Sequence, residues 1–420
     1  MLAAQLDRLK ADADGYRALA TNLAEHGVLG HDQQPSAYRP PLYPLMLTAC
    51  VAGPWQMETA VAVVHLLLGV TTVWLTLWLG HRWKLGGCAY LAAAMVACDP
   101  ILLNQSTLVM TETLATLLAV ASLALTTIAA ESNRRRQIVM AAFAGASFGA
   151  AALCRPTFLL SLVFTLAAFA WLCRLSLRES TFFRGAKGDI TGAESTFTVL
   201  SWRQMLKSIM AMCIAAACVL FPWAARNTVR FGKPIITTTH GGYTVLLGNN
   251  LDYYEFLKTA PWRAVWHADE LDAVLTKRRS ADEVANDRHE YALAWQAIRN
   301  QPGMFLYASL SRVGALWNVL PHQTRDDESS TARLTRYAIA AWYVAVFSLA
   351  LVSIFFGETQ LTRSPWLFAI ALAASFTAAH FIYWTDMRMR APLMPAISLF
   401  AAEALKFLAQ RWMKTARPKT

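Results

Sequence analysis

The chain is punctuated by apolar runs long enough, or nearly so, to cross a bilayer whose hydrocarbon core is about 30 Å thick. They occupy Thr59–Gly80, Leu85–Thr111 (interrupted by Asp99-Pro100), Thr113–Ala130, Gln137–Cys154, Pro156–Cys173, Ser208–Ala225, Tyr337–Gly357 and Ser364–Thr385. A weaker one, Ala391–Leu408, carries Glu403. In lipid every backbone polar group needs a partner inside the structure, which an open strand lacks. The sequence therefore predicts an all-α integral membrane protein with about nine transmembrane helices. A hydrophobic share of 56% against 15% charged residues is too apolar for a soluble domain of this size. The net charge of +11 does not point to nucleic acid, because the excess lies in short loops and the tail beside apolar segments.

Those basic loops set the orientation. His81–Lys84, Glu131–Arg136 and Arg174–Lys207 belong in the cytoplasm, as does the tail with Lys406, Arg411, Lys414, Arg417 and Lys419. Threading the spans between them puts residues 1–42, Asp99–Glu112, Arg155, Arg226–Arg336 and Tyr383–Arg390 on the far side. Every polar stretch with chemical promise then shares one face. The expected organisation is an extracytoplasmic loop with a re-entrant helix over 1–57 and transmembrane helices over 58–225. An extracytoplasmic segment with juxtamembrane helices over 226–336 follows, then transmembrane helices over 337–410 and a cytoplasmic tail over 411–420.

Within this frame, Leu42–Trp55 is too short to span and reads as a re-entrant or interfacial helix. Gly145 and Gly149 form a small-xxx-small step, the pattern of close helix packing. Thr237 to Asn250 reads as a short strand or loop with two tight turns. Ser280-x-x-Glu283 reads as a capping box opening an amphipathic helix that runs to about Arg299. Phe305–Leu320, interrupted by Arg312, reads as a helix along the membrane surface. Met1 to Leu9 has no apolar core of a signal peptide. With the first forty residues outside, an upstream segment is expected to have carried them there.

The chemistry-bearing residues stand at the outer ends of the spans. Asp12 and Asp14 cannot share one helix face, and only Asp12 lies on the face of Tyr16 and Ala20. Arg39-Pro40-Pro41 places a guanidinium on a stiff turn just before the chain enters the membrane. Glu112 opens a span, where an ionisable group marks a functional site unless it is paired. Arg155-Pro156, Trp223-x-x-Arg226 and Arg388-x-Arg390 bring further arginines to the same side. Together these arginines would build a cationic pocket suited to a phosphate or pyrophosphate lipid head. The seven cysteines show no Cys-x-x-Cys pair and read as packing residues, and the nine histidines show no metal-binding spacing. No phosphate-cradling glycine loop or nucleophile elbow is present.

In this order, Asp12-x-x-x-Tyr16, Tyr38-Arg39-Pro40-Pro41-x-Tyr43-Pro44, Thr111-Glu112, Cys154-Arg155-Pro156, Pro222-Trp223-x-x-Arg226-Asn227 and Arg388-x-Arg390-x-Pro392 resemble the polytopic GT-C glycosyltransferases. That superfamily includes protein O-mannosyltransferases and the aminoarabinose transferases that act on lipid A. The resemblance implies transfer of a sugar, with inversion, from a polyprenyl-phosphate donor on the non-cytoplasmic side. It implies a multi-pass protein of the cell membrane, bacterial inner membrane by type. It assigns Asp12 as general base, with Asp14 as fallback, and Arg39 to the donor's phosphate; the residues themselves add Glu112 as a further catalytic candidate and Tyr16, Tyr43, Arg155, Arg226, Arg388 and Arg390 as candidates for binding the substrate. No cofactor is required by the residues, and a divalent cation is compatible with the family. Two departures stand out: the chain shows no transmembrane helix ahead of Asp12, and Tyr38 occupies the place where aminoarabinose transferases carry an acid. The acceptor, whether protein, lipid or glycan, is left open. The rival readings are a transporter or flippase for a lipid-linked sugar and an inactive truncated paralogue.

Overall fold

A computed structural model of the chain describes residues 2–185, 202–261, 264–323 and 328–416. Lys187 of the basic loop Arg174–Lys207, and Arg417 and Lys419 of the tail, lie outside the described residues.

The polar N-terminal stretch folds first as a 3-10 turn, Leu2–Lys10, and then as helix α1, Tyr16–His26. Gly15, at φ +74°, turns the chain into α1 from a left-handed conformation that glycine adopts without strain. A two-stranded hairpin follows, in which Gly30–His31 (β1) pairs antiparallel with Gln34–Pro35 (β2). Beyond Pro40-Pro41 the chain enters α2, Leu42–Val51, the short helix expected ahead of the first span.

The membrane bundle comprises α3 (Met57–Arg82), α4 (Cys88–Ala97), α5 (Pro100–Ser106), α6 (Glu112–Glu131), α7 (Arg134–Cys154), α8 (Phe158–Gly185) and α9 (Trp202–Phe231). Asp99 divides α4 from α5, and its carboxylate caps α5 by accepting from Leu102 N at 2.9 Å. The two half-helices meet at 45°. The expected Gly145/Gly149 step is where α7 meets α9: a Cβ on Gly145 would lie 2.0 Å from the Met212 carbonyl oxygen. Gly145→Ala is expected to destabilise the protein by about 1–3 kcal/mol, the usual range for overpacking, because backbone cannot rotate away as a side chain can. A lowered thermal midpoint in detergent checks it. An unchanged midpoint would show that α7 and α9 separate freely.

After α9 comes a layer of shorter helices: α10 (Gly241–Gly248), α11 (Leu251–Thr259), α12 (Asp269–Arg278), α13 (Glu283–Asn300) and α14 (Pro302–Leu316). Two expectations are corrected here. The Thr237–Asn250 stretch is not a strand: it holds helix α10, which starts on Gly241-Gly242 because α13 passes close by. A Cβ on Gly242 would lie 2.2 Å from the Asp287 carbonyl oxygen. Nor does Ser280 cap α13. The cap is Asp282, whose carboxylate accepts from Val284 N and Ala285 N. That releases the Glu283 side chain for a contact elsewhere. Arg312, the charge that interrupts the apolar face of α14, is buried and donates to the Gly248 and Phe381 carbonyls, Asn249 and Ser309. It thereby ties the layer to the end of the bundle.

The chain returns through α15 (Ser330–Phe356), α16 (Trp366–His380), a 3-10 turn at Met387–Leu393 and α17 (Met394–Ala416). Among the described residues, seven helices are long and apolar enough to span, or eight if the bent α4–α5 pair counts as one. The expected count of nine exceeds this. The Ser364–Thr385 run yields only the 15-residue α16, about 22 Å at 1.5 Å per residue. Its polar remainder, Tyr383 to Asp386, turns the chain toward the site instead. The molecule is a multi-pass membrane protein.

Candidate active site

Two buried tyrosines form the floor of the site. The Tyr16 ring on α1 meets the Tyr43 ring on α2 edge to face at 5.2 Å. The Tyr43 hydroxyl lies 3.0 Å from His65 Nε2 on α3, and His65 Nδ1 lies 2.8 Å from the Ser106 carbonyl oxygen. A carbonyl only accepts, so Nδ1 carries the hydrogen and Tyr43 donates its own to Nε2. This chain fixes the phenol. A lone histidine inside an otherwise apolar run was the sequence signal for it, and the motif reading passed over it.

The turn before α2 brings Arg39 to the acidic loop before α1. Arg39 donates to Asp14 Oδ1 at 3.1 Å through one terminal nitrogen and to the Asp14 carbonyl at 3.1 Å through Nε. Both side chains are largely covered, 19% and 25% exposed. The guanidinium also sits 5.5 Å from the centres of the Tyr16 and Tyr38 rings. Its other terminal nitrogen lies 3.3 Å from His240 Nε2 at the head of α10. Burial, reinforced by the charges of Arg39 and Arg279, lowers the His240 pKa to about 3. His240 is therefore neutral at physiological pH and accepts from Arg39.

Opposite stands Glu112, the first residue of α6, with a side chain 2% exposed. Its Oε1 lies 3.6 Å from Arg155 in the α7–α8 turn and 3.8 Å from Arg388 in the 3-10 turn before α17. Asp386 accepts from Arg388 Nε at 3.1 Å and from the Arg388 amide at 2.8 Å, so it both caps the turn and aims the side chain. Arg155 also donates to Met389 Sδ. Burial pushes the Tyr16 phenol up, and the charges of Arg39, Asp14 and Arg155 all act on it. Asp14 and Glu112 in turn both act on Arg388. Asp14, Glu112 and Asp386 thus meet Arg39, Arg155 and Arg388 around the two tyrosines, drawn from segments nearly four hundred residues apart.

Other expected site residues are placed differently. The helix-face argument for Asp12 assumed a helix already running there, whereas α1 starts at Tyr16. Asp12 lies ahead of it, and its two oxygens accept from the amides of Arg17 (3.0 Å) and Ala18 (2.8 Å). Arg226 stacks on Trp223 at 4.8 Å and donates to Ser36 O, Leu29 O and Asn227, tethering the hairpin to α9. Arg390 is fully buried, packed on Tyr343 and Phe347, and donates to the carbonyls of Leu316 and Asn318. Of the arginines expected to build a cationic pocket, Arg39, Arg155 and Arg388 are thus paired with carboxylates, while Arg226 and Arg390 donate to backbone carbonyls. Among the described residues no group of three or more His, Cys, Asp or Glu side chains is placed to hold a metal ion.

Residues 38–186 match the family described as dolichyl-phosphate-mannose-protein mannosyltransferase. No curated protein sequence matches. Among solved structures, the oligosaccharyltransferase AglB of Archaeoglobus fulgidus, in complex with an inhibitory peptide and a dolichol-phosphate, is 13% identical. It aligns over 96% of this chain with a TM-score of 0.50. This chain spans about half of that protein, 48% of its length. ArnT of Cupriavidus metallidurans bound to undecaprenyl phosphate aligns over 100% of this chain and 80% of its own, at 12% identity and a TM-score of 0.38. Residues 38–186 are thus similar to the protein-mannosyltransferase family, and the chain as a whole shares its fold with that oligosaccharyltransferase over about half of the latter's length.

Proposed function

We propose that this protein transfers a sugar from a polyprenyl-phosphate donor to an acceptor hydroxyl, with inversion, on the non-cytoplasmic face of a bacterial inner membrane. The observation that carries the reading is the convergence of Asp14 and Glu112 with Arg39, Arg155 and Arg388 at one end of the bundle. Asp14 is the general base in this reading, in preference to Asp12. Arg39 holds its Oδ1 while Oδ2 faces no hydrogen-bond donor among the described residues, whereas both oxygens of Asp12 are taken by helix amides.

The acceptor hydroxyl gives its proton to Asp14 as its oxygen forms a bond to the anomeric carbon. The bond from that carbon to the phosphate oxygen breaks, and the phosphate departs with the electron pair. Arg155 and Arg388, held by a shared carboxylate, face the charge that grows on the leaving group, with Arg39 beside them. A general base near its operating proton and fixed cations near the leaving oxygen are the two elements that such a displacement needs. Each carboxylate of the cluster is engaged by an arginine through one oxygen, and the proposed step is not routed through a divalent cation.

A transfer assay tests the reading. Purified protein in nanodiscs is offered a panel of radiolabelled polyprenyl-phosphate sugars with membrane extract as acceptor, with Asp14→Asn and Asp12→Asn beside the wild type. Label is expected in an acceptor fraction with wild type and Asp12→Asn, and not with Asp14→Asn. The reverse pattern returns the base to Asp12. Lipid binding without transfer by any of the three proteins supports a flippase instead.

A further inference from the structure

The residues just ahead of Arg39 are held by parts of the chain some two hundred residues away. Ser36 N donates to Leu29 O at 2.9 Å, and Ser36 O accepts from Arg226 at 3.0 Å. Ala37 N donates to Glu283 Oε1 at 2.7 Å, and Ala37 O accepts from Thr239 N at 2.9 Å. Tyr38 N donates to Ser36 Oγ at 3.0 Å, and Tyr38 O accepts from Thr238 Oγ1. Ser36 Oγ donates in turn to Glu283 Oε2 at 2.8 Å. All six main-chain polar groups of residues 36–38 are therefore satisfied, and none by a regular helix or sheet ladder. Pro40-Pro41 stiffens the other side of Arg39.

Of these ties Glu283 is the strongest by chemistry. It accepts two charge-assisted hydrogen bonds, at 2.7 and 2.8 Å, on a strap that has no other side-chain anion. It is free to do so because Asp282, not Glu283, engages the first turn of α13. We infer that Glu283, on helix α13 of the extramembrane layer, is a positioning residue that sets the place of Arg39 and thereby the affinity for the phosphate of a lipid donor. The inference rests on the proposed role of Arg39 at that phosphate.

The test is a double-mutant cycle on the full chain in nanodiscs, read as equilibrium binding of undecaprenyl phosphate. Glu283→Ala is expected to weaken binding about tenfold, the scale of losing a hydrogen bond to a charged group. Glu283→Gln is expected to restore it to within about threefold, because the amide oxygen still accepts from Ala37 N. In an Arg39→Ala background Glu283→Ala is expected to have no further effect, since a residue acting only through Arg39 has nothing left to position. Equal losses in both backgrounds, tracking a lower thermal midpoint, would overturn the inference and leave Glu283 a stability residue. Hydrogen exchange over residues 29–44 gives a readout that does not depend on the donor. It is expected to quicken in Glu283→Ala, and unchanged exchange would overturn the clamp itself. Wild-type protein that binds no undecaprenyl phosphate would sink the donor reading instead, while the exchange result still decides the clamp.

Discussion

Asp14→Asn is expected to reduce transfer by about 10²–10⁴-fold, the contribution of a positioned general base, while leaving binding of polyprenyl phosphate within about threefold of wild type. The substitution keeps the oxygen that accepts from Arg39 and removes the group that takes the proton. The loss should therefore fall on kcat rather than on KM. A KM increase with unchanged kcat would mean that Asp14 only anchors Arg39, and the base would have to be sought elsewhere. Asp12→Asn should behave differently, because an amide oxygen can still accept from one of the two α1 amides that Asp12 now satisfies. Its effect is expected to remain within a helix-cap loss of about 0.5–2 kcal/mol in stability, seen as a lower thermal midpoint and near-normal turnover at lower temperature.

The second large effect is expected at Glu112. Glu112→Gln removes the one negative charge shared by Arg155 and Arg388, so the two guanidiniums repel each other across the buried Glu112 side chain. Breaking a buried charge arrangement by removing one partner costs about 3–5 kcal/mol in general. Here Arg388 retains Asp386 at 3.1 Å, which moderates the loss. Transfer is expected to fall by about 10²-fold or more in kcat/KM, the scale of one misplaced donor at a developing charge. Donor binding measured separately should weaken less, because added positive charge still attracts phosphate. Transfer within about threefold of wild type would show that the arginines find their places without Glu112.

The comparison of Asp12 with Asp14 shows where reasoning from spacing stops. Periodicity arguments choose between two acids only if the backbone between them is regular. A glycine at φ +74° makes it irregular immediately after Asp14. The choice between the two carboxylates is therefore set by the turn, and Gly15 is the residue that a sequence reader could have weighed. Arg226 and Arg390 illustrate the opposite difficulty. Both lie in arginine-bearing stretches at the ends of spans, as Arg155 and Arg388 do, yet the hydrogen bonds of each go chiefly to backbone carbonyls. Spacing does not distinguish an arginine that closes a loop from one that faces a ligand, since both need the same neighbours in sequence.

What the sequence determined by itself was the helical membrane architecture, the expectation that polar chemistry gathers on one side, and the residue types that gather there. These follow from lengths of apolar runs and the placement of basic loops, which are local properties of the chain. Only the tertiary structure decided which charges meet. Asp14 pairs with Arg39 because the turn before α2 folds back on the turn before α1. Glu112 meets Arg155 and Arg388 because α6, α7 and the turn before α17 end together. Such pairings depend on helix packing between distant segments, where a one-turn shift moves a side chain about 5 Å and breaks a contact held within 4 Å.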